Sequence, residues 1–119
     1  MTEIDHETDT LVGEWLTLRE AAKALDTSPN RVKQFIRDHK LIGVTRRGEV
    51  SVPAEFIADG DVIKGLPGTL TLLADCHFSA DEALRWLFTE DPSLPGSPVQ
   101  ALAQNRGTEV RRRAQALAI

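Results

Sequence analysis

The chain has 119 residues and a formal net charge of −4, which allows one compact domain or two small lobes with a hydrophobic core. Its single cysteine, Cys76, excludes an internal disulfide framework and lacks the further Cys or His ligands that a zinc site requires, so we expect no metal and no cofactor. The N-terminus is acidic, and no apolar run approaches the roughly 18 residues of a spanning helix. We therefore expect a cytoplasmic protein that does not enter a membrane.

Positive charge is concentrated in one stretch of the chain. Residues 1–14 hold five acidic residues and no Lys or Arg, while residues 15–47 hold eight basic residues against three acidic ones. Residues 48–119 hold six basic residues against ten acidic ones, so the three segments carry −5, +5 and −4. A cationic stretch inside an acidic chain is typical of a surface that contacts nucleic-acid phosphates.

Residues 1–14 are predicted to be a disordered acidic tail, because they contain few apolar residues, no periodicity and one sign of charge. Thr8 and Thr10 lie between acids in this tail and are candidate sites for a Ser/Thr protein kinase. A phosphate adds about −1.5 to −2 charges, which suggests autoinhibition of the neighbouring cationic stretch. The alternative, that both are ordinary polar residues of a tail, stays open.

Two short helices follow, separated by about three residues. The first begins with the capping box of Thr17 and Glu20, and the second, predicted over residues 29–40, begins with Ser28 as N-cap and Pro29 at the first helical position. Each helix carries one apolar stripe: Leu18, Ala21, Ala22 and Leu25, then Val32, Phe35 and Ile36. This pattern predicts a helix-turn-helix.

The outward face of the second helix carries the side chains that bind DNA in other proteins. Arg pairs with guanine, and Asn or Gln pairs with adenine, in the major groove, whereas Lys and Arg also bind phosphates. The candidates are Asn30, Gln34 and Arg37 for base edges, and Arg31, Lys33 and Lys40 for phosphates. A solvated helix face is the alternative, but the helix-turn-helix context favours DNA.

A strand hairpin is predicted after Leu41, where the apolar period changes from 3.6 to 2 around the turn Arg46-Arg47-Gly48-Glu49. Arg46 and Arg47 at its tip are candidates for contact with phosphates or the minor groove. An exposed turn that is basic without a function is the alternative.

A helical C-terminal domain is predicted over residues 61–119, with a hinge at residues 59–68 where it joins the first domain. Ser79 and Glu82 form another capping box, and Ser97-Pro98 begins a further helix that we expect Gly107 to end.

The predicted fold class is mainly α with a small β-hairpin wing. It consists of a winged helix-turn-helix over residues 15–60, followed by a C-terminal helical bundle.

The stretch LTLREAAKALDTSPNRVKQFIRDHKLIGVTRRGEVSVPAEFI resembles the winged helix-turn-helix of the excisionase and MerR class of DNA-binding domains. The matching residues are Leu16, Thr17, Glu20, Ala21, Ala22, Leu25, Ser28, Val32, Ile36, Arg37, Leu41, Arg47, Gly48, Val52 and Pro53. The chain departs from this pattern at Glu49, where a basic residue is usual, and that departure questions the wing's share of phosphate binding.

The segment EALRWLFTEDPSLPGSPVQALAQNRGTEVRRRAQAL is similar to the toxin-binding C-terminal domain of Xre-type antitoxins. The matching residues are Ala83, Trp86, Leu87, Pro92, Leu94, Gly96, Pro98, Leu102, Gly107 and Val110. The order of parts also resembles small actinobacterial winged helix-turn-helix proteins with an acidic threonine-bearing tail. These resemblances imply DNA binding by the first part and protein association by the second.

The sequence therefore predicts a DNA-binding protein, a transcriptional regulator rather than an enzyme, whose partner is double-stranded DNA. The rival prediction is an antitoxin-like adaptor that acts through the C-terminal helices. A homodimer and a protein partner held by residues 66–119 are both left open.

Overall fold

A computed structural model describes residues 3–117. The helices are α1 His6–Val12, α2 Leu18–Ala24, α3 Pro29–Arg37, α4 Leu66–Asp75, α5 Ala80–Phe88, α6 Pro98–Ala103 and α7 Gly107–Ala116, with a 3₁₀ turn at Ala54–Phe56. The strands are β1 Trp15–Thr17, β2 Val44–Arg46, β3 Glu49–Pro53, β4 Ile57–Ala58 and β5 Asp61–Val62. The fold is mainly helical with a small antiparallel sheet, as predicted.

The N-terminal segment is folded, so the disordered tail predicted for residues 1–14 is wrong over residues 3–14; residues 1 and 2 lie outside the described part. The Ile4 N–H donates to the Thr45 carbonyl at 3.0 Å, and α1 packs against α5. Thr8 and Val12 are buried on that side. Together with half-buried Ile4 they recur every four residues, a weak helical stripe within an acidic stretch.

The helix-turn-helix forms as the sequence predicts. The Glu20 N–H donates to Thr17 Oγ1 at 3.2 Å while the Thr17 N–H donates to Glu20 Oε1 at 2.9 Å, and Ser28 Oγ accepts from the Arg31 N–H at 3.2 Å. Val32 is fully buried against α2. However, α3 ends at Arg37 and not at residue 40, because the chain enters the left-handed region at His39, where φ is 59°.

The wing, which we define as β2, β3 and their connecting turn, is the predicted hairpin. Arg46 pairs with Glu49 across it, and the two turn residues, Arg47 and Gly48, have φ values of 51° and 80°, as a type I′ turn requires. The sheet order is β1-β3-β2, all antiparallel, with Leu16 of β1 opposite Val52. Strand β1 was not predicted, because three residues between a tail and a capping box give no periodicity.

Residues 59–68 do not form the predicted hinge. Strands β4 and β5 pair across the turn at Asp59-Gly60, and the side chains of Ile63 and Leu66 are buried in the core. Gly65 has a φ of 88° and precedes α4, where an added Cβ would lie 3.1 Å from the side chain of Leu102. This segment is therefore tightly packed.

The C-terminal helices pack into the same hydrophobic core as the helix-turn-helix. The ring of Phe56 packs against that of Phe88 of α5 in a tilted arrangement, with centroids 5.8 Å apart, and one continuous cluster of buried side chains includes both halves of the chain. Gly107 begins α7 and does not end α6, which stops at Ala103. The boundary near residue 60 stays a prediction, and the core crosses it. Within residues 3–117, none of the helices is both long and apolar enough to cross a bilayer.

Candidate nucleic-acid interface

The outward side of α3 is an exposed, cationic surface. We call it the recognition face and define it as Asn30, Arg31, Lys33, Gln34 and Arg37, all of which are exposed. Burial of Val32 on the opposite side of α3 fixes this orientation. Among residues 3–117, the side chains of Asn30, Lys33 and Arg37 have no hydrogen-bond or ion-pair partner. Their polar groups are therefore available to a ligand.

Two residues predicted to have separate functions are bonded to each other. The Arg31 Nη1 donates to Gln34 Oε1 at 2.8 Å, and the Arg31 Cζ lies 5.1 Å from the centroid of the Phe35 ring. The Lys40 Nζ lies 5.4 Å from the same centroid. Half-buried Phe35 thus stacks with both cations at the edge of the recognition face, although Lys40 itself follows the end of α3.

The two arginines of the wing have different surroundings. The Arg46 guanidinium donates from Nε to Asp9 Oδ2 at 2.9 Å and from Nη2 to Asp9 Oδ1 at 3.1 Å, and its Cζ lies 4.9 Å from the centroid of the Trp15 ring. Arg47 is exposed at the turn with no bonded partner in the described part of the chain. The wing therefore presents Arg47 outward and holds Arg46 against α1 and β1.

The contact with Arg46 favours the ionised form of Asp9. Hydrogen bonds from the Arg46 guanidinium lower the pKa of the Asp9 carboxyl below its ordinary value of 3.8, and they outweigh the opposing effect of partial burial. The pair is therefore charge-assisted as well as bidentate. The sequence could not indicate this pair, since its members are 37 positions apart.

An open groove of about 480 Å³ lies where the beginnings of α2 and α3 meet the wing. Its lining residues are Thr17, Leu18, Arg19, Pro29, Glu49 and Val50. Arg19 is exposed and unpaired within residues 3–117, and the sequence reasoning did not select it as a DNA contact. Arg19 lies off the apolar stripe of α2, and this position in the sequence could have indicated an outward-facing cation near the wing. Glu49 lines the same groove, so its carboxylate opposes phosphate binding there.

The two phosphorylation candidates differ in accessibility. Thr8 is fully buried, and its Oγ1 accepts a hydrogen bond from Arg85 Nε at 3.0 Å. The prediction of Thr8 as a kinase site is therefore wrong for the folded protein, because a kinase needs the hydroxyl exposed. Thr10 is exposed and donates to the His6 carbonyl at 3.1 Å, so it stays a candidate.

No group of three or more His, Cys, Asp or Glu residues within residues 3–117 is arranged to hold a metal ion. The candidate DNA-binding residues differ in their engagement within residues 3–117. Asn30, Lys33, Arg37 and Arg47 have no bonded partner there, whereas Arg31 is bonded to Gln34 and Arg46 to Asp9.

Comparison with known proteins identifies the family. A family model described as "DNA-binding protein Rv2175c, wHTH domain" matches residues 3–57, and one described as "Rv2175c C-terminal domain of unknown function" matches residues 63–118. The DNA-binding protein Rv2175c of Mycobacterium tuberculosis (strain ATCC 25618 / H37Rv) is 41% identical over 114 residues, which cover 85% of this chain and 78% of that protein.

The structural comparison agrees. The NMR structure of Rv2175c superposes with a TM-score of 0.80 at 38% identity, covering 89% of this chain and 82% of that one. The specific links to excisionases, MerR proteins and Xre antitoxins stay resemblances. The chain belongs to the Rv2175c family, in which a winged helix-turn-helix domain precedes the Rv2175c C-terminal domain.

Proposed function

We propose that this protein binds double-stranded DNA by inserting α3 into the major groove and placing the tip of the wing on the phosphate backbone. The observation that carries the proposal is the recognition face, an exposed helix surface whose Asn30, Lys33 and Arg37 side chains are unpaired among the described residues. The name of the Mycobacterium tuberculosis relative, a DNA-binding protein, supports the same class.

The proposed contacts fall into two sets. Side chains for base edges are Asn30, Gln34 and Arg37, and side chains for phosphates are Arg31, Lys33, Lys40, Arg47 and, after release from Asp9, Arg46. Gln34 exchanges its bond to Arg31 for a base edge when the complex forms. We further propose that the protein regulates transcription as a dimer on two half-sites, because one α3 of nine residues reads only a few base pairs.

Thr10 is the proposed phosphorylation site. It is exposed on α1, directly after Asp9, so a phosphate there places about −1.5 to −2 charges beside the residue that contacts the wing. Such a charge opposes the approach of DNA to Arg46 and Arg47. Phosphorylation by a Ser/Thr kinase would therefore weaken DNA binding.

The test is a salt titration of the full chain on a duplex selected from random DNA. We expect the logarithm of the association constant to fall linearly with the logarithm of the salt concentration, with a slope of about −0.9 per neutralised phosphate. Lys33→Ala should reduce that slope by about one. Arg112→Ala, which removes an exposed cation on α7, is the matched control. A slope near zero, or equal effects of the two variants, contradicts the proposal.

The second candidate function is an adaptor that binds a protein through the C-terminal helices. Half-buried Trp86 favours it, since Trp86 lines an open groove with Pro92 and Pro98 and provides an apolar surface beside a polar rim. Trp86→Ala in the full chain separates the two functions. If the protein is an adaptor, Trp86→Ala abolishes binding of the protein partner and leaves DNA affinity unchanged. If the protein acts on DNA alone, the wild type binds no protein partner.

A further inference from the structure

The guanidinium of Arg46 links the wing to α1. Arg46 uses two of its donors on the Asp9 carboxylate, at 2.9 and 3.1 Å, and stacks on Trp15. The Trp15 Nε1 in turn donates to the Asp9 carbonyl at 3.4 Å. Asp9 therefore contacts both the wing and the strand beneath it.

Helix α1 is itself fixed to the C-terminal part of the fold. Arg85 of α5 donates from Nε to Thr8 Oγ1 at 3.0 Å and from Nη2 to Asp5 Oδ2 at 2.9 Å, and Val12 is buried in the core. Because α1 is held in this way, the Asp9 carboxylate stays beside the wing when a ligand approaches. It behaves as a fixed negative charge and not as part of a mobile tail.

A DNA phosphate that binds Arg46 in the same bidentate way requires the Nε and Nη2 donors that Asp9 occupies. Guanidinium groups bind carboxylates and phosphates in the same bidentate geometry, so the two anions compete for one set of N–H groups. The side chains of Arg46 and Asp9 are 20% and 28% exposed, which leaves the pair reachable from solvent. An ion pair at this degree of exposure is weak enough to be exchanged.

We propose that Asp9 limits the affinity of this protein for DNA by holding Arg46 in an intramolecular ion pair that phosphate must displace. This inference rests on the proposed DNA binding. It adds that Asp9, a residue outside the recognition face and the wing, affects the strength of that binding. Asp9 then opposes binding twice, since it occupies a cation of the wing and also repels the phosphate that approaches it.

The opposite role for the same contact is a structural one. If Asp9 serves to orient the wing for DNA, then removing its charge weakens binding, because Arg46 and the β2–β3 hairpin lose their support. The two roles predict changes of opposite sign, so one substitution distinguishes them.

The experiment measures the affinity of full-length Asp9→Asn for the selected duplex across a range of salt concentrations. Asparagine keeps the shape of the side chain and removes its charge. We expect binding to tighten by about threefold to tenfold at low salt, because phosphate no longer has to displace a carboxylate from Arg46. The salt slope should steepen by up to about one, because the wild type frees the Asp9 carboxylate on binding and that carboxylate takes up a cation, whereas the variant has no such carboxylate.

The matched control is Glu7→Gln, which makes the same change in net charge on the same helix. Glu7 is exposed, has no bonded partner within residues 3–117, and lies about 200° around α1 from Asp9. We expect a smaller gain in affinity from Glu7→Gln and no change in its salt slope. Thermal unfolding of each variant checks that α1 stays folded.

A double-mutant cycle links the gain to Arg46. In the Asp9→Asn background, Arg46→Ala should reduce the gain to about that of Glu7→Gln, because only the loss of repulsion remains, whereas Arg46→Ala alone should weaken binding by less than threefold. If Asp9→Asn binds no better than Glu7→Gln, or more weakly than the wild type, the inference is overturned while DNA binding stands. If the wild type and every variant fail to bind duplex DNA, both the inference and the proposed function are overturned.

Discussion

The recognition face and the wing are both basic in sequence, yet the fold leaves them in different electrostatic states. Lys33 and Arg37 on α3 have no bonded partner in the described chain, whereas Arg46 on the wing is already neutralised by Asp9. The difference comes from a residue on another helix, outside both regions. The number of cations in a segment therefore overstates the charge that it offers to DNA.

The strength of the Arg46 contacts explains how they can affect binding without preventing it. An ion pair of this exposure contributes about 0.2–1 kcal/mol, and stacking of the guanidinium on Trp15 adds about 0.5–1 kcal/mol. Together these energies fix the orientation of Arg46 in the free protein. They are smaller than the gain from several phosphate contacts, so DNA can displace Asp9.

The largest expected effect is on stability and comes from α1, which holds Asp9 beside the wing and so makes the wing differ electrostatically from the recognition face. Thr8→Glu puts a larger, charged side chain into a fully buried site and should lower the free energy of unfolding by about 2–3 kcal/mol. Thr10→Glu, on the exposed side of α1, should change it by less than about 0.5 kcal/mol. Urea unfolding of both variants measures the contrast, and equal midpoints would show that α1 is not packed as described.

The next effect compares the two arginines directly. Arg37→Ala should weaken DNA binding by about tenfold, because an unpaired arginine that contacts a base contributes about 1–3 kcal/mol. Arg46→Ala should weaken it by less than threefold. In the wild type, Arg46 must give up its contact with Asp9 to bind a phosphate, so its net contribution to DNA affinity is small. Anisotropy titrations at one fixed salt concentration give the ratio. A larger loss from Arg46→Ala would reverse the comparison and make the wing the main site.

The features that the sequence predicts correctly are those determined within one turn of helix. Both Thr17 and Ser79 form the expected capping boxes with glutamates three positions on, and Ala21, Ala22 and Val32 are buried as their spacing indicates. The wing follows from alternating residues around a glycine-containing turn. Each of these signals is local.

The features that the sequence does not predict depend on contacts across the chain. Strand β1 forms because β3 is available 35 or so positions later to pair with it, and α1 is ordered because α5 and Arg85 cover it. Gly65 looks like part of a flexible hinge, but its positive φ and lack of a side chain allow close contact with Leu102. Composition alone predicts that such segments are mobile, because it does not show which distant residues pack against them.

The smallest effect is at the junction between α1 and the wing, where Glu55 follows β3. Burial raises the pKa of the Glu55 carboxyl above its ordinary value of 4.5, and the charge of Glu14 raises it further. The Ala54 N–H also donates to the Glu14 carbonyl at 3.0 Å. The repulsion between the Glu14 and Glu55 carboxylates therefore lies where the residue before β1 meets the end of β3.

Glu55→Gln should therefore stabilise the fold slightly at neutral pH. A carboxyl whose folded pKa is raised binds protons more readily when folded, so its ionised form opposes folding at pH 7 and the penalty disappears as the pH falls through the folded pKa. We expect a gain of about 0.3 kcal/mol at pH 7, reduced for solvent screening, that is absent below pH 4.5. Urea unfolding at both pH values measures it against Glu90→Gln, an exposed acid on the loop after α5. A gain that persists at low pH would mean that the amide improves packing and that the charge of the carboxylate is not the cause.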